Sequence, residues 1–166
     1  MNNQSKFLLI LMSSFIIVLI GTFSCAKTTF KWLEFNPGLD KAKKSGKPIV
    51  IDFYADWCKW CKVMDKQTFT NEEIIDKLKK DFIPVRITIG SHPEIKYKNR
   101  KMSPKQFGAM VGVEGLPTIV FLDQNGNFIR KFSGFINPKM FLGLLSYIKD
   151  QCYQSRILSK EHIDKK

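Results

Sequence analysis

The apolar positions of this chain follow two rhythms. Residues 48–55 (PIVIDFYA), 82–89 (FIPVRITI) and 118–123 (TIVFLD) are nearly continuous apolar runs rich in β-branched and aromatic side chains. That is the pattern of strands buried on both faces. Between them the spacing turns helical. A helix is expected from Cys58 to about Lys66. "TNEE" at 70–73 reads as a capping box, with Thr70 as cap and Glu73 reaching back, ahead of the apolar face Ile74, Ile75 and Leu78. Ser103 and Pro104 open another helix, and "LDKAKKSG" reads as a short one ended by Gly46. "QNGN" at 124–127 carries a hairpin signal and leads into a fourth strand, "FIRKFSG". Asn137 and Pro138 then start a last helix with Phe141, Leu144, Leu145 and Ile148 on one face. This order of elements predicts an α/β sandwich around a central mixed β-sheet flanked by helices.

Four segments divide the 166 residues. Residues 1–26 hold one charge, Lys6, before an uncharged and mostly apolar stretch over 7–26 that ends in the small residues Ser24 and Ala26. This describes a secretory signal cut after Ala26. The stretch is also long enough for a membrane anchor, and Cys25 is a candidate for lipidation, although Thr22 and Phe23 fit that signal poorly. Each reading exports the rest of the chain and implies a periplasmic location. Residues 27–47 form a lead-in in which Trp32, Leu33 and Phe35 have the character to pack on the domain. The domain covers 48–150, and 151–166 is a polar tail.

The net charge of +12 comes from lysines and arginines spread along the chain. With no dense basic block and no binding motif, it points to solubility and not to nucleic acid.

Export changes what the four cysteines can do, because disulfides persist outside the cytoplasm. Cys25 belongs to the leader, and Cys152 follows the last helix without a matching partner. That leaves Cys58 and Cys61. A metal clamp needs about four ligands; a second Cys-x-x-Cys is absent, and the two histidines, His92 and His162, have no partner at ligand spacing. A structural staple over so short a loop removes little unfolded-chain entropy. The redox reading has more support. A strand ending near Asp56 delivers Cys58 to the first turn of a helix, whose free N–H groups and dipole favour a thiolate. Cys61, one turn further in, is placed to resolve the mixed disulfide, and exchange then needs no metal or organic cofactor.

Two segments, "VIDFYADWCKWCK" and "GLPTIVFLDQNG", resemble the signature stretches of the thioredoxin superfamily. The likeness extends to the C-terminal periplasmic domain of the thiol:disulfide interchange reductase DsbD, which shares the Tyr-Ala-Asp-Trp-Cys and Gly-Leu-Pro-Thr patterns. The lead-in and "TFTNEE" are similar to small exported thioredoxin-like proteins. The resemblance covers roughly residues 30–150.

It implies a thioredoxin fold and a role for each matching residue. Cys58 would attack and Cys61 would resolve. Pro117 would take a cis bond facing them, exposing backbone near Leu116 to an extended partner segment. Asp52, an acid inside an apolar strand, would accept and return the Cys61 proton, the competing reading being a structural acid satisfied by a polar neighbour. Asp65 matches a second acid near the site. Trp57 would pack beside Cys58 and shield it. Lys59 and Trp60, which replace the Gly-Pro of thioredoxin, would tune the redox poise. "SHPEIKYKNRKM" at 91–102 is a lengthened connection, either a recognition loop or a solvated insertion.

The expectation is an exported protein-disulfide reductase. Its substrates would be oxidised exported proteins and its electron donor a membrane thiol reductase. A disulfide oxidase or isomerase, and a non-catalytic binding or chaperone module, are the alternatives.

Overall fold

The computed structural model describes residues 29–91 and 93–150. The expected export segment with Cys25, His92, and the tail with Cys152 and His162 lie outside the described residues.

Helix α1 spans Phe35–Ser45 and β1 spans Ile49–Tyr54; α2 (Lys59–Gln67) and α3 (Glu72–Asp81) follow, then β2 (Ile83–Thr88). A short hairpin of β3 (Ile95–Tyr97) and β4 (Arg100–Met102) precedes α4 (Pro104–Met110). The chain ends with β5 (Thr118–Leu122), β6 (Phe128–Ser133) and α5 (Pro138–Lys149). The main sheet has the order β2-β1-β5-β6. β1 runs parallel to β2 and antiparallel to β5, and β5 is antiparallel to β6. This is the mixed sheet with flanking helices that the strand–helix order predicts.

Alternation along β1 divides the core. Ile49, Ile51 and Phe53 face a cluster with Phe35 and Leu39 of α1, Ile95 and Tyr97 of the hairpin, and Phe107 of α4. Val50 faces the other side, among Met64, Phe69, Ile74, Leu78, Phe141, Leu145 and Ile148 from α2, α3, α5 and their connections. Each fully buried aliphatic or aromatic side chain here contributes about 1.5–3 kcal/mol. Asp52 lies on the second face, the face covered by α2.

Three local expectations need correction. Helix α1 begins at Phe35, ahead of the "LDKAKKSG" pattern. Pro37 sits in its first turn, where a missing N–H leaves no bond unmade. Gly38 lets the helix lie against β2, since a Cβ there would clash with Val85 Cγ2. Second, α3 is capped by Asn71, whose side chain accepts from the Ile74 N–H at 3.1 Å. Thr70, the residue read as the cap, instead donates its hydroxyl to Lys66 O at 2.6 Å. Third, the lengthened connection is not a plain loop: Ile95–Tyr97 and Arg100–Met102 pair as a short hairpin, with Lys96 and residues 98–101 exposed. Ile95 and Tyr97 are buried in the core, and the Tyr97 hydroxyl donates to Gly126 O at 2.8 Å. Lys98 and Asn99 turn the hairpin at positive φ.

The lead-in does pack on the domain, and it does so as an added sheet edge. Leu33 bridges Val85 in parallel. The Leu33 N–H donates to Pro84 O, and the Arg86 N–H donates to Leu33 O, both at 3.0 Å.

Candidate active site

β1 ends at Tyr54 and the chain turns through Ala55–Trp57 to place Cys58 at the N-cap of α2. Cys58 has extended backbone there (φ −78°, ψ 103°), and its Sγ accepts from the Cys61 N–H at 3.1 Å. One of the orphan donors of the helix start is thus aimed at the sulfur, where it favours negative charge. The two cysteines form a disulfide, with Cα atoms 5.3 Å apart. Both are buried, Cys58 at 4% exposure and Cys61 at 2%, so in this oxidised form little separates them.

The side chains packed on the cysteine pair are those of Tyr54, Ala55, Ile89 and Leu116. Trp57, expected to shield Cys58, instead stands 76% exposed. It lines a shallow, largely apolar cavity of about 250 Å³ together with Ile89, Val113, Gly115 and Leu116. Lys59 is exposed, and Trp60 is largely exposed with its ring 5.7 Å from that of Phe135. The Leu116–Pro117 bond is cis. Leu116 is tied to the site twice, packing on the cysteine pair and lining the cavity beside Trp57.

Asp52 and Asp65, both expected at the site, are joined by a residue that the sequence reading does not single out, Arg86. Asp52 and Arg86 are register partners on β1 and β2. Arg86 Nε and Nη2 both reach Asp52 Oδ2 at 2.8 Å. The same guanidinium donates from Nη1 to Asp65 Oδ2 at 3.3 Å and from Nη2 to Asp65 Oδ1. It is stacked between two rings, 4.6 Å from the centroid of Trp32 and 4.6 Å from that of Tyr54. The Asp52 side chain is almost wholly buried, whereas that of Asp65 is about one-third exposed.

Burial pushes the Asp52 carboxyl up from 3.8 to about 6, against the pull of Arg86, with Asp65 pushing in the same direction as burial. For Arg86, burial opposes the charge, but Asp52 and Asp65 outweigh it and hold the guanidinium above its usual range. One signal in the sequence could have found the pair. "PIVIDFYA" and "FIPVRITI" each carry a single charge inside an apolar run, and a parallel register sets those charges side by side.

An α/β domain that carries a Cys-x-x-Cys disulfide at a helix N-terminus holds the groups that thiol–disulfide exchange needs. Residues 35–149 match the model of the thioredoxin-like domain family, and the chain belongs to that family. It is 32% identical over 103 residues to the thiol:disulfide interchange protein DsbD of Yersinia pestis (strain Pestoides F), a match covering 61% of this chain and 16% of that protein. It is 30% identical over 105 residues to the DsbD of Actinobacillus pleuropneumoniae serotype 5b (strain L20), covering 62% of this chain and again 16% of the relative. The chain therefore spans only a small part of the length of these relatives. Among solved structures it is similar to a thioredoxin-fold protein from Helicobacter pylori, with TM-score 0.60 and 23% identity over 80% of this chain and 83% of that one. It is also similar to the oxidised DsbD C-terminal domain of Neisseria meningitidis, with TM-score 0.51 and 22% identity over 66% of this chain and 88% of the other. At these identities the structural likenesses speak for the fold.

Proposed function

We propose that the chain is an exported protein-disulfide reductase, working in the periplasm on oxidised exported proteins and recharged by a membrane thiol reductase. The observation that carries the exchange chemistry is Cys58 at the N-cap of α2 with an N–H aimed at its sulfur. The reducing direction and the compartment rest on the likeness to DsbD and on the character of residues 1–26. Among the described residues no helix is long and apolar enough to cross a membrane.

The Cys58 thiolate attacks one sulfur of a substrate disulfide. A Cys58–substrate bond forms, the substrate bond breaks, and the first substrate sulfur leaves as a thiolate. Cys61 then gives its proton to the Asp52 carboxylate and attacks Cys58 Sγ. The Cys58–Cys61 bond forms and the second substrate thiolate departs, taking up a proton that Asp52 returns through solvent. Two electrons have moved from the dithiol to the substrate, and an external dithiol restores the pair. The apolar cavity between Trp57 and Leu116 takes a side chain of the extended substrate segment. Lys59 and Trp60 set the balance between thiol and disulfide.

Insulin reduction by the wild-type protein and by a Cys58→Ser variant tests the reading, together with the equilibrium potential against glutathione. Activity that survives Cys58→Ser leaves only a binding role. A high, oxidising potential reassigns the protein as an oxidase or isomerase.

A further inference from the structure

Arg86 has no part in sulfur exchange itself, yet the site is built around it. Four donor contacts run from one guanidinium to two carboxylates, one buried in the sheet and one on α2. Asp65 lies four residues beyond Cys61 on α2, so the two share a helix face one turn apart. Tyr54, one of the two stacking rings, also packs on the cysteine pair. The other ring, Trp32, arrives from the lead-in, which is hydrogen-bonded to the backbone of Arg86 itself. The guanidinium is therefore held in position and orientation from the lead-in, β1 and α2.

We infer that Arg86 is the positioning residue of the resolving step: clamped between Trp32 and Tyr54, it holds Asp52 as a carboxylate able to accept the Cys61 proton. This rests on the reading of Asp52 as the acceptor for Cys61. The charge balance around Asp52 supports it. The groups that act on Asp52 are Arg86 from β2 and Asp65 from α2, with Tyr54 from β1 coupled to it. Burial and Asp65 both disfavour the carboxylate, and Arg86 opposes them. With Arg86 in place Asp52 titrates at about 6 and is mostly ionised at neutral pH. Without it, the carboxyl would be pushed further up and a smaller fraction would be ionised and able to accept a proton at the same pH. Trp32 contributes by covering the cation, so that water does not screen its pull on Asp52.

The test mixes reduced full-length protein with a chromogenic aromatic disulfide. Attack by Cys58 releases one aromatic thiolate and resolution by Cys61 releases the second, so the two steps are read separately between pH 5 and pH 9. In Arg86→Gln the first phase should stay within about twofold. The acid limb of the second should move up by about one pH unit or more, slowing it about tenfold at the foot of the profile. Arg86→Lys should restore most of that loss, and Trp32→Leu should give a smaller shift in the same direction. Carbon-13 NMR of the Asp52 carboxyl in the oxidised protein gives a readout independent of exchange, and its midpoint should rise in the same order. An unmoved Asp52 midpoint and an unmoved second phase, with the first phase intact, would overturn the role of Arg86 and leave the oxidoreductase reading standing. If Arg86→Gln does not fold, unmoved midpoints in both Arg86→Lys and Trp32→Leu overturn it equally. A folded wild-type protein that shows neither phase overturns both readings.

Discussion

Asp52 and Arg86 face each other across the parallel β1–β2 pair, with nitrogen and oxygen 2.8 Å apart. The pair has a thermodynamic consequence. The folded protein raises Asp52 from 3.8 to about 6, so it binds that proton more tightly than the unfolded chain does. Stability from this group is fully present below about pH 4 and is lost as pH rises through 6.

Asp52→Asn should therefore stabilise the protein at pH 7, by about 3 kcal/mol, and should flatten the fall in unfolding free energy between pH 4 and pH 7. Resolution of the mixed disulfide should slow at the same time, about 10²-fold for a lost proton acceptor. Urea unfolding across that pH range, paired with stopped-flow exchange, measures both. Equal stability profiles for the two proteins would show that Asp52 is not raised. Equal resolution rates would return it to a structural role.

Cys58 should be the more reactive thiol once the disulfide is reduced, because the helix start lowers its proton affinity. Alkylation at mildly acidic pH, followed by peptide mass analysis, should find the label on Cys58 first. Cys61→Ser should accumulate a Cys58-linked mixed disulfide with its substrate. Preferential labelling of Cys61 would reverse the two roles.

The β3–β4 hairpin is anchored in the core by Ile95 and Tyr97, while most of its other residues are exposed. Ile95→Ala should cost about 2–4 kcal/mol as a large-to-small core change. Lys96→Ala, one residue on and exposed, should stay within about 0.5 kcal/mol. Chemical denaturation of both variants decides the matter. Similar small losses would mean that the hairpin is peripheral.

Thr68 is fully buried after α2, and its hydroxyl donates to Ile136 O at 2.6 Å. Thr68→Val keeps the shape and strands the carbonyl, so about 1–3 kcal/mol should be lost. A shift in thermal midpoint smaller than a degree would show that another donor reaches that oxygen.

β1, β2 and β5 are legible because their apolar runs are long, with a single charge inside each of the first two, and the Ser103 and Asn137 caps because serine and asparagine precede clear helical faces. The Asn71 cap was misread one residue early. Thr70 and Asn71 both suit an N-cap, and the hydroxyl of Thr70 is drawn back to Lys66 O, leaving Asn71 for α3. The hairpin escaped notice because its strands are only three residues each and its turn, Lys98–Asn99, takes positive φ without a glycine. In the site, the Cys-x-x-Cys pair declares itself by spacing. Arg86 and Trp32 do not, because their roles exist only once register and the lead-in bridge bring distant segments together.

That lead-in bridge also guards the molecule against its own kind. A strand at the rim of a sheet offers unpaired N–H and C=O groups to any passing chain. Leu33 occupies those of Pro84 and Arg86, while the opposite rim, β6, carries Arg130 and Lys131, whose charge discourages a second strand. Cleavage or fusion that pulls residues 29–33 off β2 would open a valine- and isoleucine-rich border, and self-association would compete with folding.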